Sequence, residues 1–193
     1  MENDWIYGHL MKLVLNQNWD ELIKFVEKEN FDVNTRFLIA PKLPKPFVPT
    51  LLHMLIPGKA PQYVFKWIFD LGAKAERFHY RLAVHSSNPP FLREMKDRGV
   101  DLNITVGAKS LYEVASEVKN SPMYEELNKL GVDPNLFHGS GEKDLLYRML
   151  ENNRVYEAVE LIRFGTFVGN DHLSVTSSEL YEYVKTKNCE TSM

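Results

Sequence analysis

Leu130-Gly131-Val132-Asp133-Pro134-Asn135 and Arg98-Gly99-Val100-Asp101-Leu102-Asn103 are two copies of one phrase. Leu71-Gly72-Ala73 and Phe164-Gly165-Thr166 repeat its centre, and Asn30-Phe31-Asp32-Val33-Asn34 is a copy with Asn in place of Gly. The four glycines stand 27, 32 and 34 residues apart. A period of that size belongs to stacked helix-pair units rather than to one undivided core.

Working upstream from each anchor, the fourth residue back is Val26, Ile68, Met95, Leu127 or Leu161, and the seventh is Ile23, Phe65, Leu92, Tyr124 or Ala158. Residues three to four apart share a helix face, so these offsets predict an apolar stripe on a short helix that ends at the anchor. Glycine just past the last turn adopts the left-handed conformation that stops a helix cheaply, and Asn is its usual substitute. Further upstream, Thr50-Leu51-Leu52-His53, Phe78-His79-Tyr80, Ser110-Leu111-Tyr112 and Asp144-Leu145-Leu146 each open an earlier helix. Ser110 and Asp144 are good amino-terminal caps because their side-chain oxygens accept unpaired amide hydrogens. The units fall at residues 5–34, 50–76, 78–103, 110–135 and 144–168.

Thr50-Leu51-Leu52-His53 and the Gly-Val-Asp-x-Asn phrases at Gly99 and Gly131 resemble the ankyrin repeat, which opens Thr-Pro-Leu-His-x-Ala and ends Gly-Ala-Asp-x-Asn. Leu51 stands where that pattern has proline. The resemblance covers residues 5–168 and implies an all-α, ankyrin-repeat-like solenoid of stacked helix pairs forming a single domain over 1–193. The pattern fades beyond 168, where a C-terminal capping helix is expected at 170–187, around Leu180, Tyr181 and Val184. Asn88-Pro89-Pro90 is expected to make the turn between the helices of the third unit.

By the same resemblance, the concave side and projecting turns bind another protein, as a non-catalytic adaptor or inhibitor that is monomeric on its own. Short free-standing chains of this kind include virus and pathogen factors that engage a host protein in the host cytosol. The fingers are expected at 36–48, Phe78, 104–109 and 136–143. Partner contacts are assigned to Arg36, Phe37, Leu38, Leu43, Phe47, Trp67, Ile104, Phe137 and His138. The 35–49 loop is proline-rich and carries Phe37, Leu38, Ile39, Leu43, Phe47 and Val48 without any period for burial. Two readings stay open: the loop folds back over the first units, or its apolar groups meet a partner.

Composition narrows the alternatives. The chain has 193 residues, 44% of them hydrophobic and 12% aromatic, enough for a core. A net charge of −3 with no long run of either sign supplies no basic footprint for nucleic acid. The single cysteine, Cys189, can make neither an internal disulfide nor a metal cluster, which points to a reducing compartment or to indifference about redox state, with a cytoplasmic setting as the expected default. No apolar run is long enough for a membrane span, and the acidic start Met1-Glu2-Asn3-Asp4 is unlike a signal peptide.

No cofactor is implied, and nothing marks an active site. His53 belongs to the helix-opening phrase, while His79, His85, His138 and His172 lack metal-ligand spacing. Gly139-Ser140-Gly141-Glu142-Lys143 lacks the full phosphate-loop pattern and reads as a finger. Trp5, Tyr7, Trp19, Phe25, Phe65, Trp67 and Phe69 fit helical faces and are expected in the core, Trp67 also suiting a contact surface. Two alternatives remain: a small-molecule sensor or enzyme with a pocket between loop 35–49 and the first helices, where His53 and Arg36 would converge, and a self-associating unit using Trp67.

Overall fold

The structure is a computed structural model that describes residues 4–38, 48–119, 121–136, 143–178 and 180–191. Among the described residues every regular element is a helix. They are α1 (Asp4–Leu15), α2 (Trp19–Lys28), α3 (Leu51–Leu55), α4 (Gln62–Asp70), α5 (Arg77–His85), α6 (Pro89–Asp97), α7 (Leu111–Glu117), α8 (Ser121–Lys129), α9 (Leu145–Glu151), α10 (Val155–Arg163), α11 (Asn170–Val175) and α12 (Tyr181–Thr191). None is long and apolar enough to cross a membrane. The chain forms two compact units, Met1–Val100 with α1 to α6 and Asp101–Met193 with α7 to α12.

Each helix pair is bounded by the same backbone device. Asn30, Gly72, Gly99, Gly131 and Gly165 all have positive φ. The residue after each donates its N–H to the carbonyl five residues back: Phe31 to Val26, Ala73 to Ile68, Val100 to Met95, Val132 to Leu127 and Thr166 to Leu161, at 3.0–3.1 Å. That bond satisfies a terminal helix carbonyl and turns the chain off the helix axis. The acceptors are the apolar stripe itself, and Val26, Ile68, Met95, Leu127 and Leu161 are all buried. Of the second row, Phe65, Leu92, Tyr124 and Ala158 are buried and Ile23 is half-buried.

The Asp-x-Asn turns join one helix pair to the next. Asp32, Asp101 and Asp133 each accept the N–H of the Asn two residues on, at 2.8–2.9 Å. The asparagines then reach forward. In the first unit Asn34 donates to Gly72 O (3.1 Å) and accepts from Lys74 N (3.0 Å). In the second unit Asn103 accepts from Asp133 N (2.8 Å), while Asn135 donates to Gly165 O (3.3 Å) and accepts from Phe167 N (2.7 Å).

Three expectations are corrected. The C-terminal cap is two helices, α11 and α12, because Leu173-Ser174-Val175-Thr176-Ser177 ends the first after six residues and Val184, fully buried, anchors a second. Asn88-Pro89-Pro90 does not make the inter-helix turn; Asn88 caps α6 and the prolines fill its first two positions, where a missing N–H costs nothing. The turn is Ser86-Ser87, with Ser87 at φ 50. The aromatic stripe is also less buried than its spacing suggests. Phe65 is in the core, whereas Tyr7, Trp19, Phe25, Trp67 and Phe69 are half-buried and Trp5 is exposed, edge-on to Phe25.

Candidate protein-binding surface

Helices α3, α5, α7 and α11 each begin with a side chain three residues past the cap that accepts the cap's own backbone N–H. His53 Nδ1 takes Thr50 N–H at 3.1 Å, His79 Nδ1 takes Glu76 N–H at 2.8 Å, Glu113 takes Ser110 N–H at 2.8 Å, and His172 Nδ1 takes Gly169 N–H at 2.8 Å. Each satisfies a donor that the helix cannot. The far side of His79, Glu113 and His172 then reaches the preceding pair or the following one. With Nδ1 accepting, His79 carries its proton on Nε2 and donates to His53 Nδ1 at 3.1 Å. His172 Nε2 donates to the Asp144 carboxylate at 3.0 Å, and Glu113 receives Arg148 in a close ion pair.

The surroundings set the protonation of these rings. Burial pushes the His79 pKa down to about 4, with His53 adding to the effect and Glu76 opposing it. His53 is lowered by burial as well, with Glu76 opposing and Arg36 reinforcing. Burial works against a charged His172, yet hydrogen bonding to Asp144 and the charges of Asp144 and Asp171 outweigh it and raise the pKa. His53, His79 and His172 are therefore engaged in holding helix pairs. His79 and His172 look scattered in sequence; the signal that finds them is distance from the helix cap, three residues in each case.

Other polar clusters are structural in the same way. Arg98 donates to buried Glu94 (2.7 Å), to Asp70 (2.5 Å) and to Lys66 O (3.0 Å), fastening α6 to α4. Gln62 reaches Asp97 at 2.6 Å. Arg154 donates to Ser116 Oγ (2.8 Å), Ser116 O (3.0 Å) and Glu157 (2.8 Å). Among the described residues no three His, Cys, Asp or Glu side chains come together as a metal site.

The residues assigned to partner contact divide. Arg36 is exposed and ion-paired to Glu76 at 2.9 Å. Leu38 is exposed, and Ile104 is half-buried on a finger closed by Val106 N–H to Lys109 O at 2.8 Å. Phe37 is corrected: it is buried, stacked on Phe31 at 5.8 Å and tilted against Tyr7 at 5.2 Å, so the loop folds back at this residue. Its N–H bonds to Pro49 O at 2.9 Å, tying the ends of the loop together. Trp67 is half-buried and its indole N–H donates to Glu27 at 3.1 Å. Leu43, Phe47, Phe137 and His138 lie outside the described residues, as do Lys42, Lys45 and most of the Gly139 finger. Sequence reasoning missed exposed Tyr63 on α4 and Phe167 after Gly165.

Beside the loop ends lies a groove of about 270 Å³ between α1 and α3, lined by Tyr7, Met11, Leu15, Pro49, His53 and Met54 among others. Arg36 does not line this groove.

Left-handed glycine stops, Asp-x-Asn turns that bond forward and helix openings braced at the third residue define the ankyrin-repeat fold, here in strongly divergent form. Among solved structures the chain is similar to the ankyrin repeat domain of Bcl-3, described as a unique member of the IkappaB protein family. The TM-score is 0.63 at 17% identity, over 94% of this chain and 85% of that one. No protein-family model and no curated protein sequence matches the chain.

Proposed function

We propose that the chain is a non-catalytic protein-interaction module, an adaptor or inhibitor acting in the cytosol as a monomer, that binds a partner through its fingers and concave face. One observation carries the reading: buried His79, Asn88, Glu113 and His172 are committed to joining helix pairs, while Leu38, Phe78 and Phe167 stand in solvent at or beside the turns. Such turns are free of structural duty in a repeat fold and are where binding evolves. Arg36, Leu38, Leu43, Phe47, Trp67, Ile104, Phe137 and His138 are the proposed contacts; Phe37 is withdrawn because it is already covered. A host protein as target of a pathogen factor is the finer form of this proposal. Cross-linking capture from cell lysate tests it, with Leu38, Leu43, Phe47 and Ile104 replaced together by Ala. Loss of one specific captured protein is expected; unchanged capture removes these turns from the site.

The groove beside His53 favours a second reading, a small apolar ligand held between α1 and α3. Ligand-observed NMR against a library of apolar fragments, with Met54→Ala as control, separates the two. Binding lost in that variant supports the second reading.

A further inference from the structure

Helix α5 opens unlike α3, α7 and α9, which hold the same place in their pairs. The first two positions of α3, α7 and α9 are Leu51-Leu52, Leu111-Tyr112 and Leu145-Leu146, all buried. In α5 they are Arg77 and Phe78, both exposed, and Phe78 keeps 48% of its surface in water. A core-facing apolar pair has been replaced by a cation and an outward aromatic ring. Packing alone gives no reason for that exchange.

Three contacts bring further apolar groups to the same place. Arg36 pairs with Glu76, the residue that caps α5, at 2.9 Å. Phe37 N–H bonds to Pro49 O at 2.9 Å, setting the two ends of the loop side by side. The Phe78 ring stacks on His53 at 5.5 Å, and His53 is bonded to Thr50. Leu38 and Val48 flank the bonded Phe37–Pro49 pair, which leads through Thr50 and His53 to Phe78, and they are 56% and 37% exposed. Around the α5 start three arginines, Arg36, Arg77 and Arg81, stand against one acid, Glu76, which Arg36 pairs at 2.9 Å. Arg81 lies one turn beyond Arg77, with its Nε toward His85.

We propose that Leu38, Val48 and Phe78, rimmed by Arg36, Arg77 and Arg81, form a docking site for an acidic, apolar segment of a partner protein. Leu- or Phe-type anchors of that segment cover Phe78 and Leu38, and its Asp and Glu side chains meet Arg77 and Arg81. This rests on the protein-binding reading and narrows it to one surface and one partner chemistry. Arginine suits carboxylates through its paired N–H donors, and an aromatic beside arginine is the composition of residues that carry binding energy. A nucleic acid would leave Leu38 and Val48 uncovered, and Glu76 within the patch opposes a uniformly anionic bilayer.

The test is selection of peptides from a random display library on the immobilised full chain, followed by binding of the selected synthetic peptides in solution. The selected sequences are expected to combine Asp or Glu with Leu, Phe or Trp. Affinity should fall about tenfold with Phe78→Ala and again with Arg77→Glu, and weaken as salt is raised. Both side chains are exposed, so unchanged circular dichroism and melting would show that the variants keep the fold. Selected peptides without acidic residues would overturn the proposal. Peptides indifferent to both substitutions would sink this surface while leaving the protein-binding reading standing. No peptide selected, with a single-stranded oligonucleotide or phosphatidylserine vesicles bound instead, would sink both.

Discussion

At the scale of single residues, left-handed backbone is needed twice in each repeating pair, and glycine serves only one of the two places. The stops after the second helix use Asn30, Gly72, Gly99, Gly131 and Gly165, whereas the turns between helices put Gln17, Lys59, Ser87, Lys119 and Asn153 at φ 50–58. An L side chain there costs about 1 kcal/mol of backbone strain relative to Gly, partly offset by the larger entropy of an unfolded glycine. Gln17→Gly is therefore expected to stabilise by about 0.5 kcal/mol in urea unfolding. Gly99→Ala is expected to destabilise by about 1 kcal/mol, from φ alone, because an added Cβ there meets open space. The asymmetry explains what could be read in advance. Glycine at a fixed period marks its turn, while Gln, Lys and Ser have no such preference and leave the other turn silent.

At the scale of the element, Asn88 shows how one side chain can set where a helix starts and what it leans on. Its Oδ1 accepts Phe91 N–H at 3.4 Å, and its Nδ2 donates to Ile56 O at 2.7 Å inside the first unit. Asn88→Ala removes the cap and leaves the Ile56 carbonyl buried without this donor. The expected cost is about 2–3 kcal/mol, read as a lower urea midpoint with unchanged slope, and Asn88→Asp should not rescue it, because a carboxylate oxygen would face the Ile56 carbonyl. The stripe of apolar residues and the caps Ser110 and Asp144 were legible because they follow helix period and local hydrogen-bond chemistry. The start of α6 was not, since Asn-Pro-Pro reads equally well as a turn. The split of α11 from α12 was hidden for a related reason: no glycine separates them, and Leu180 and Val184 look like one continuous face.

At the scale of the whole molecule, the two compact units carry buried histidines whose protonation responds to pH in opposite senses. His79 lies in Met1–Val100 with a pKa held down to about 4 by burial and by His53. An unfolded histidine titrates near 6.5, so between these values the unfolded state binds more protons than the folded one. The His79 contribution is complete above about pH 6.5, falls as the pH drops, and is gone near pH 4, a loss on the order of 2 kcal/mol. Geometry agrees with that direction, because a second proton on His79 would sit on Nδ1 and face the Glu76 N–H that this nitrogen accepts. In Asp101–Met193 the sign reverses. His172 is raised by Asp144, so its contribution is complete below about pH 6.5 and fades as the pH climbs through the folded value. Asp144 is held low by the same bond, which keeps the pair intact in mild acid. Amide hydrogen exchange at pH 7.5 and 5.0, corrected for intrinsic rates, should therefore show protection falling in α3 and α5 and holding or rising in α9 and α11. His79→Gln separates the ring from the hydrogen bond, since Gln at the third helical position can still accept the Glu76 N–H, as Glu113 does for Ser110. In that variant the acid sensitivity of α5 should flatten while α11 is unchanged; equal acid loss in both units of the parent chain would show that these two histidines do not set its pH response.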